Sequence, residues 1–149
     1  MGDKERGYAH RVDILADARA VWLALTENQQ LARWCSPGAD IRARAGGSFR
    51  ASVDRVTEFE ARIDVFEPGR RLRLIYLPAP ALPKAESVMI DDFILETVAG
   101  GTIVRLLGSG VPATPEWDTQ YRRLRASWQA AMTRLKVFVE QQSRTGAPS

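Results

Sequence analysis

Apolar residues near the C-terminus recur at the spacing of a helix. Between residues 115 and 142 they step forward by alternating fours and threes, which places them on one face. This stripe consists of Trp117, Tyr121, Leu124, Trp128, Ala131, Leu135 and Phe138. The opposite face, expected in water, carries Arg122, Arg123, Arg125, Arg134 and Lys136. A capping Thr114 hydroxyl, Pro115 at the first helical position and Glu116 after it are typical of a helix start. The pattern predicts one helix about 40 Å long, whose apolar face either packs on a sheet as plain core or partly lines a cavity.

The chain before this helix shows mainly the alternation of strands. Tyr8–Leu15 predicts a strand, Asp17 caps a short helix over 18–25, and a second short helix covers 28–34. Further strands are predicted over 39–45, 48–55, 58–66, 71–77, 86–98 and 102–108. Turn sequences at residues 67–70 and 99–101 favour antiparallel neighbours. Strands grouped between helices at the two ends predict the α+β class.

A proline-rich apolar segment, Leu77–Pro83, interrupts the strands. Three prolines within seven residues cannot continue a hydrogen-bonded ladder. The segment is therefore either a stiff connection between strands or a lip over the mouth of a cavity.

Composition bounds the class of protein. The 149 residues are 45% hydrophobic and 26% charged, which predicts one globular domain over residues 8–142 with flexible tails at 1–7 and 143–149. The net charge of +3 comes from arginines spread along the chain, so nucleic-acid binding is not expected. No segment has the roughly 20 apolar residues of a membrane span. A single cysteine and the lack of a signal sequence favour the cytoplasm.

Few residues suggest chemistry. The sequence has no Cys/His cluster, phosphate-binding glycine loop or nucleophile motif, so neither a metal nor a cofactor is expected. Cys35 at a helix end is interpreted as an inert thiol, and His10 as a structural or surface residue. Whether the protein is an enzyme stays open, although the lack of an evident acid–base pair weighs against it.

Asp91 and Asp92 are adjacent in a predicted strand, so they point to opposite sides and cannot form a catalytic pair. Alternation does not decide which one faces inward, because both faces of this strand are apolar. An inward acid needs a partner, which Arg50, Arg73 or Arg105 could supply. Such a buried ion pair could also have no chemical role.

The order of elements and several short phrases resemble the START-related (SRPBCC, helix-grip) superfamily, in the branch with homology to the activator of the heat-shock-90 chaperone ATPase. The phrases are Ile14-Leu15-Ala16-Asp17, Val21-Trp22, Leu25-Thr26, Leu31-Ala32-Arg33-Trp34, Gly46-Gly47-Ser48-Phe49-Arg50, Phe66-Glu67-Pro68-Gly69-Arg70-Arg71-Leu72, Gly101-Thr102 with Val104, Leu106 and Gly110, and Trp128 with Leu135. The resemblance implies a curled antiparallel sheet of six to seven strands around the C-terminal helix, with the two short helices closing one end.

The same resemblance implies a function. Members bind lipids, sterols, polyketides and other apolar molecules, so a small apolar or amphipathic ligand is expected between the sheet and the C-terminal helix. The ligand-binding residues predicted on this basis are Tyr121, Leu124, Trp128, Trp117, Tyr76, Phe93, Asp91 and Arg50. Nearby arginines could orient a carboxylate on the ligand. The alternatives are a protein-interaction module that contacts a chaperone, or a polyketide cyclase-like enzyme. A homodimer is compatible with each.

Overall fold

A computed structural model describes residues 5–52, 57–79, 82–83, 85 and 87–144. Most of the two predicted tails, residues 53–55 of one predicted strand and residues 80–81 of the proline-rich segment lie outside the described residues. The elements in chain order are β1 Glu5–Ile14, α1 Ala18–Thr26, α2 Asn28–Trp34, β2 Asp40–Ile41, β3 Ser48–Ala51, β4 Phe59–Glu67, β5 Arg71–Tyr76, β6 Ile90–Val98, β7 Gly101–Pro112, a 3₁₀ turn Pro115–Trp117 and α3 Asp118–Arg144.

The described strands form one antiparallel sheet in the order β1-β7-β6-β5-β4-β3-β2. The sheet curls around α3, so the predicted α+β helix-grip fold is confirmed. β1 begins three residues before its predicted start. The reason is that β7 runs on to Pro112, which pairs with Glu5, while Val111 pairs with Arg6.

β2 and β6 are shorter than their sequence patterns suggest by more than two residues, and β3 and β5 end before their predicted last residues. β2 ends at Ile41, because the Arg44 and Gly47 amides close successive turns on the Arg42 and Arg44 carbonyls. Gly46 adopts a positive φ of 80° in this turn, a conformation that glycine tolerates best. The strand predicted from residue 86 begins only at Ile90.

The long C-terminal helix packs on the sheet through its middle and end. Its buried residues are Trp128, Ala131, Met132, Leu135 and Val139. The long C-terminal helix predicted from about Pro115 is confirmed, but its first turn, residues 115–117, is a 3₁₀ turn and α3 begins at Asp118. The Thr114 hydroxyl makes no capping hydrogen bond there, and the Thr114 carbonyl accepts from the Trp117 amide at 3.0 Å instead. None of the described helices is long and apolar enough to cross a membrane.

Two basic residues of α3 that were expected in water bind backbone carbonyls instead. Lys136 Nζ donates to the Asp13 carbonyl at 2.6 Å. Arg134 Nε donates to the Trp34 carbonyl at 2.8 Å, where α2 ends. These bonds tie α3 to the edge strand β1 and to α2, so α3 is fixed over the concave face of the sheet.

Asp17 caps α1 as predicted, since its Oδ1 accepts from the Ala20 amide at 2.9 Å. We expect Asp17→Ala to lower the free energy of unfolding by about 1 kcal/mol, because an amide of the first turn loses its acceptor. Urea unfolding measures the loss. Asp17→Ser is the matched control and should stay near wild type; an equal loss in the serine variant would show that capping is not the cause.

Candidate functional site

A cavity of about 600 Å³ lies between the end of β5, the segment that follows it and the 3₁₀ turn before α3. Its described lining consists of Phe59, Tyr76, Leu77, Pro78, Ala79, Leu82, Pro83, Ala85, Ser87, Val88, Met89 and Trp117. None of these side chains is charged, so the expectation that an arginine orients a ligand carboxylate is not met within the described lining. The cavity is large enough for a small organic molecule.

Aromatic rings form the inner walls of the cavity. Tyr76 at the end of β5 stacks on Phe59 at the start of β4, with ring centroids 4.7 Å apart. Trp117 is almost fully buried and closes the side next to α3. Sequence reasoning missed Phe59, although the alternation of β4 places it on the inward face with Ala61 and Ile63.

The segment before β6 is held against β7 by a close backbone approach. Ser87 Oγ donates to the Gly110 carbonyl at 2.7 Å. Gly110 has a φ of 82°, and a Cβ on it would lie 1.9 Å from the Val88 carbonyl oxygen. Glycine is therefore required at this position, and its presence fixes the wall of the cavity formed by residues 87–89.

Asp91 is the inward acid of β6 and is fully buried beneath the cavity. Its Oδ1 accepts from the Tyr8 hydroxyl at 2.6 Å, and its Oδ2 accepts from the Tyr76 hydroxyl. Burial raises the pKa of Asp91 to about 6, an effect that the two tyrosine hydrogen bonds partly oppose. Burial and the neighbouring carboxylate also raise the pKa of both tyrosines well above their ordinary value, so the tyrosines stay protonated.

The arginines near this part of β6 bind Asp92, the acid that follows Asp91. Asp92 faces outward and accepts from Arg71 Nη2 at 2.7 Å and, more weakly, from Arg73 Nε at 3.4 Å. The expectation that Arg50, Arg73 or Arg105 neutralises the inward acid was therefore wrong. Two tyrosines from β1 and β5 take that place.

The indole of Trp128 packs between the aromatic wall and β6. It is fully buried, 5.5 Å from the Phe93 ring and 6.3 Å from the Phe59 ring between centroids. Its N–H forms no hydrogen bond of ordinary geometry with any described residue. The N–H nevertheless lies near Asp91 and Tyr76, where it partly opposes the rise in the pKa of both groups.

Gly108 leaves the space that the Tyr8 ring occupies when its hydroxyl bonds to the Asp91 carboxylate. It pairs with Tyr8 across β1 and β7 and with Asp91 across β6 and β7. A Cβ on Gly108 would lie 2.3 Å from the Tyr8 ring, so a larger residue would displace the tyrosine. The His10 ring stacks on the Tyr8 ring with centroids 5.6 Å apart, and burial lowers the pKa of His10.

The predicted ligand-binding residues are only partly brought together. Tyr76 and Trp117 line the cavity. Asp91, Phe93 and Trp128 are buried beneath it, with Asp91 bonded to Tyr76. The role of these five residues in ligand binding stays a prediction.

The other three predicted residues are not in the described lining of the main cavity. Leu124 is half-buried beside an adjoining space of about 20 Å³. The Tyr121 hydroxyl donates to the Gly7 carbonyl at 2.6 Å, which fixes that ring against β1. Arg50 is exposed and pairs in register with Glu60, and the buried Phe49 beside it shows that Arg50 faces away from the core.

The cysteine lies outside the cavity. Cys35 is buried at the end of α2, and burial raises the pKa of its thiol to about 12, which keeps it protonated at neutral pH. Within the described ranges, no group of three or more His, Cys, Asp or Glu side chains is placed to hold a metal ion.

Known proteins share this fold. The family model "Activator of Hsp90 ATPase homolog 1-like protein" matches residues 15–140. Protein MLL2253 from Mesorhizobium loti has a TM-score of 0.78 and 20% identity, covering 91% of this chain and 98% of that one. Aha1 from Colwellia psychrerythraea, solved in solution as a dimer, has a TM-score of 0.77 and 21% identity over 91% and 96% of the two chains. CalU16 from Micromonospora echinospora has a TM-score of 0.71 and 20% identity over 95% and 80%. No curated protein matches the sequence significantly.

Proposed function

We propose, since this chain belongs to the family of Activator of Hsp90 ATPase homolog 1-like proteins, that it binds a small apolar or amphipathic molecule in the cavity beside Tyr76 and Trp117. The main observation that supports the proposal is the cavity of about 600 Å³, whose described lining residues are all uncharged. Ligand pockets typically measure about 300–1,000 Å³ and are lined mainly by apolar and aromatic side chains.

Exposed apolar side chains support binding in the cavity rather than docking of a protein partner. Leu77 and Val88 lie at the cavity and are 41% and 57% exposed. Of the other large exposed apolar residues of the described chain, Val98, Leu107 and Val137 lie on β6, β7 and α3, and Leu15 follows β1. A protein-interaction module would favour one continuous apolar patch. Chaperone contact, a homodimer and a cytoplasmic location remain predictions.

The proposal is tested by filling the cavity. Ala85 is half-buried in its lining, so Ala85→Trp would place a large ring inside. We expect some members of a panel of fatty acids, sterols and aromatic compounds to raise the melting temperature of the wild type, because a ligand that binds only the native state stabilises it. The same compounds should leave Ala85→Trp unchanged.

Ala130→Trp is the matched control, because Ala130 is exposed on α3 and away from the described lining. This variant should respond to the compounds like the wild type. Two results would contradict the proposal: no compound in a broad panel shifts the melting temperature, or Ala85→Trp responds as strongly as the control.

A further inference from the structure

We propose that the protein has a second binding site, in an open groove between α2 and α3, that takes a small apolar molecule carrying a carboxylate. The groove has a volume of about 380 Å³, within the usual range of small-ligand pockets. Its described lining includes Arg33 and Trp34 from α2 and Arg134, Val137, Phe138 and Gln141 from α3. None of these residues is in the described lining of the cavity beside Tyr76, so this site is independent of the proposed function.

The groove carries positive charge and, in its described lining, no acid. Its charged residues are Arg33 and Arg134. Arg33 is exposed and forms no ion pair with any described residue. Its guanidinium lies instead over the Phe138 ring, with Cζ 5.5 Å from the ring centroid. An arginine held by a ring rather than by an acid keeps N–H donors for a carboxylate, which a guanidinium binds through two parallel hydrogen bonds.

Arg134 offsets the groups that would repel an anion at the end of α2. The last carbonyls of a helix carry partial negative charge, so they disfavour an anion nearby. Arg134 Nε donates to the Trp34 carbonyl at 2.8 Å, and its Nη2 donates to the Cys35 carbonyl at 3.2 Å. These bonds place a fixed positive charge against the helix end. A ligand carboxylate at Arg33 therefore meets a positive rather than a negative field.

The apolar part of the groove is preformed. Trp34 is buried, and its indole N–H donates to the Ala24 carbonyl at 2.7 Å, which fixes the ring. Phe138 is half-buried and packs against the core. Val137 is 47% exposed, so a ligand that covers it removes apolar surface from water. Walls that are already fixed lose little conformational freedom when a ligand binds.

These two features together select an amphipathic anion. An inorganic anion would leave the apolar surface of Val137 in water. A neutral apolar molecule would cover the Arg33 guanidinium without giving it an acceptor, which costs free energy. A carboxylate on an apolar body satisfies both side chains.

The extent of the apolar surface favours a small molecule over a protein partner. Val137 is the only large exposed apolar residue of α2 and α3, both of which lie within the described ranges. A stable protein interface buries about 800 Å² on each partner. The surface around Val137 lacks the further apolar residues that would supply the centre of such an interface.

The test uses 2-naphthoate and 2-naphthamide, which share a shape but differ in charge, on Ala85→Trp protein. This variant fills the other cavity, so binding reports the groove alone. We expect 2-naphthoate to bind about fivefold more tightly at neutral pH and low salt, the ratio that a partly exposed ion pair supplies. Added salt should reduce this preference, because it screens exposed charges. In an NMR titration the amide shifts should concentrate at residues 33–34 and 133–141.

Two further substitutions in the groove follow from its charge. Arg33→Gln removes the ion-pair partner, so the preference for 2-naphthoate should fall to about twofold or less. Val137→Glu places a like charge in the groove and should abolish 2-naphthoate binding. Arg19→Gln is the matched control, because Arg19 is exposed on α1, outside the described lining, and its loss changes the net charge equally. It should leave the preference unchanged. Circular dichroism verifies that each variant is folded.

The results that overturn the second site are distinct from those that contradict the first. Equal binding of the two probes overturns it, as do amide shifts spread over the surface or an equal loss of preference in Arg19→Gln, which would show attraction by net charge alone. A short peptide ending in phenylalanine carries the same chemical groups. Binding of this peptide without binding of 2-naphthoate would assign the groove to a protein chain end and overturn the small-molecule class. Each of these results leaves the cavity proposal standing, and failure of the cavity proposal leaves the groove standing.

Discussion

Replacing Trp128 by alanine should lower the free energy of unfolding by about 3–5 kcal/mol. The indole is fully buried, and the rings of Phe59 and Phe93 pack against it. It does not border the main cavity in the described lining, so its removal leaves a new void rather than enlarging an existing one. Urea unfolding followed by circular dichroism measures the change.

Comparison with Trp117→Ala shows whether the Trp128 ring is packed on all sides or borders open space. Trp117 is as buried as Trp128, but it lines the cavity, so part of its ring already lacks packing partners. The loss for Trp117→Ala should therefore be clearly smaller than that for Trp128→Ala. Equal losses, or a loss under about 2 kcal/mol for Trp128→Ala, would show that Trp128 itself borders open space.

Periodicity in the sequence predicts most of the fold, because each element buries one face. The helical stripe identifies Trp128 and Leu135 as core, and the alternation of β4 does the same for Ile63. The predicted starts and ends of strands are wrong where contacts with other parts of the chain determine them. β1 starts early because β7 extends beside it, and β2 is short because turns on Arg42 and Arg44 bend the chain away.

The site was predictable only in part, because its contacts join residues far apart in sequence. Alternation could not orient Asp91, since Asp92 also has apolar neighbours on its own side of the strand. What orients Asp91 is the pair of hydroxyls from Tyr8 and Tyr76, which lie 83 and 15 residues away along the chain. The prolines of the segment from Leu77 indicated a break in the ladder, but the volume beside them depends on how β4, β5 and the 3₁₀ turn pack.

The buried carboxyl of Asp91 should make stability depend on pH. Relative to Asp91→Asn, the wild type should lose about 3 kcal/mol of unfolding free energy between about pH 3 and pH 7. The pKa of Asp91 is about 6 in the folded state and close to the ordinary 3.8 in the unfolded chain. Below 3.8 both states hold the proton and the wild type has no penalty. As the pH rises through about 6, the unfolded chain releases its proton more readily, so the folded state loses stability until both states are ionised.

The difference in unfolding free energy between the wild type and Asp91→Asn isolates the contribution of the Asp91 carboxyl. Arg11 beside Asp13 and Lys136 beside Glu140 lower the pKa of those two carboxyls, which makes their contribution to stability rise with pH. This contribution is common to both proteins. Chemical denaturation across the pH range measures each curve. Asp92→Asn is the matched control on the outer face and should keep the wild-type fall in stability. Curves for wild type and Asp91→Asn that run parallel over this range would show that Asp91 is not protonated more readily in the folded protein.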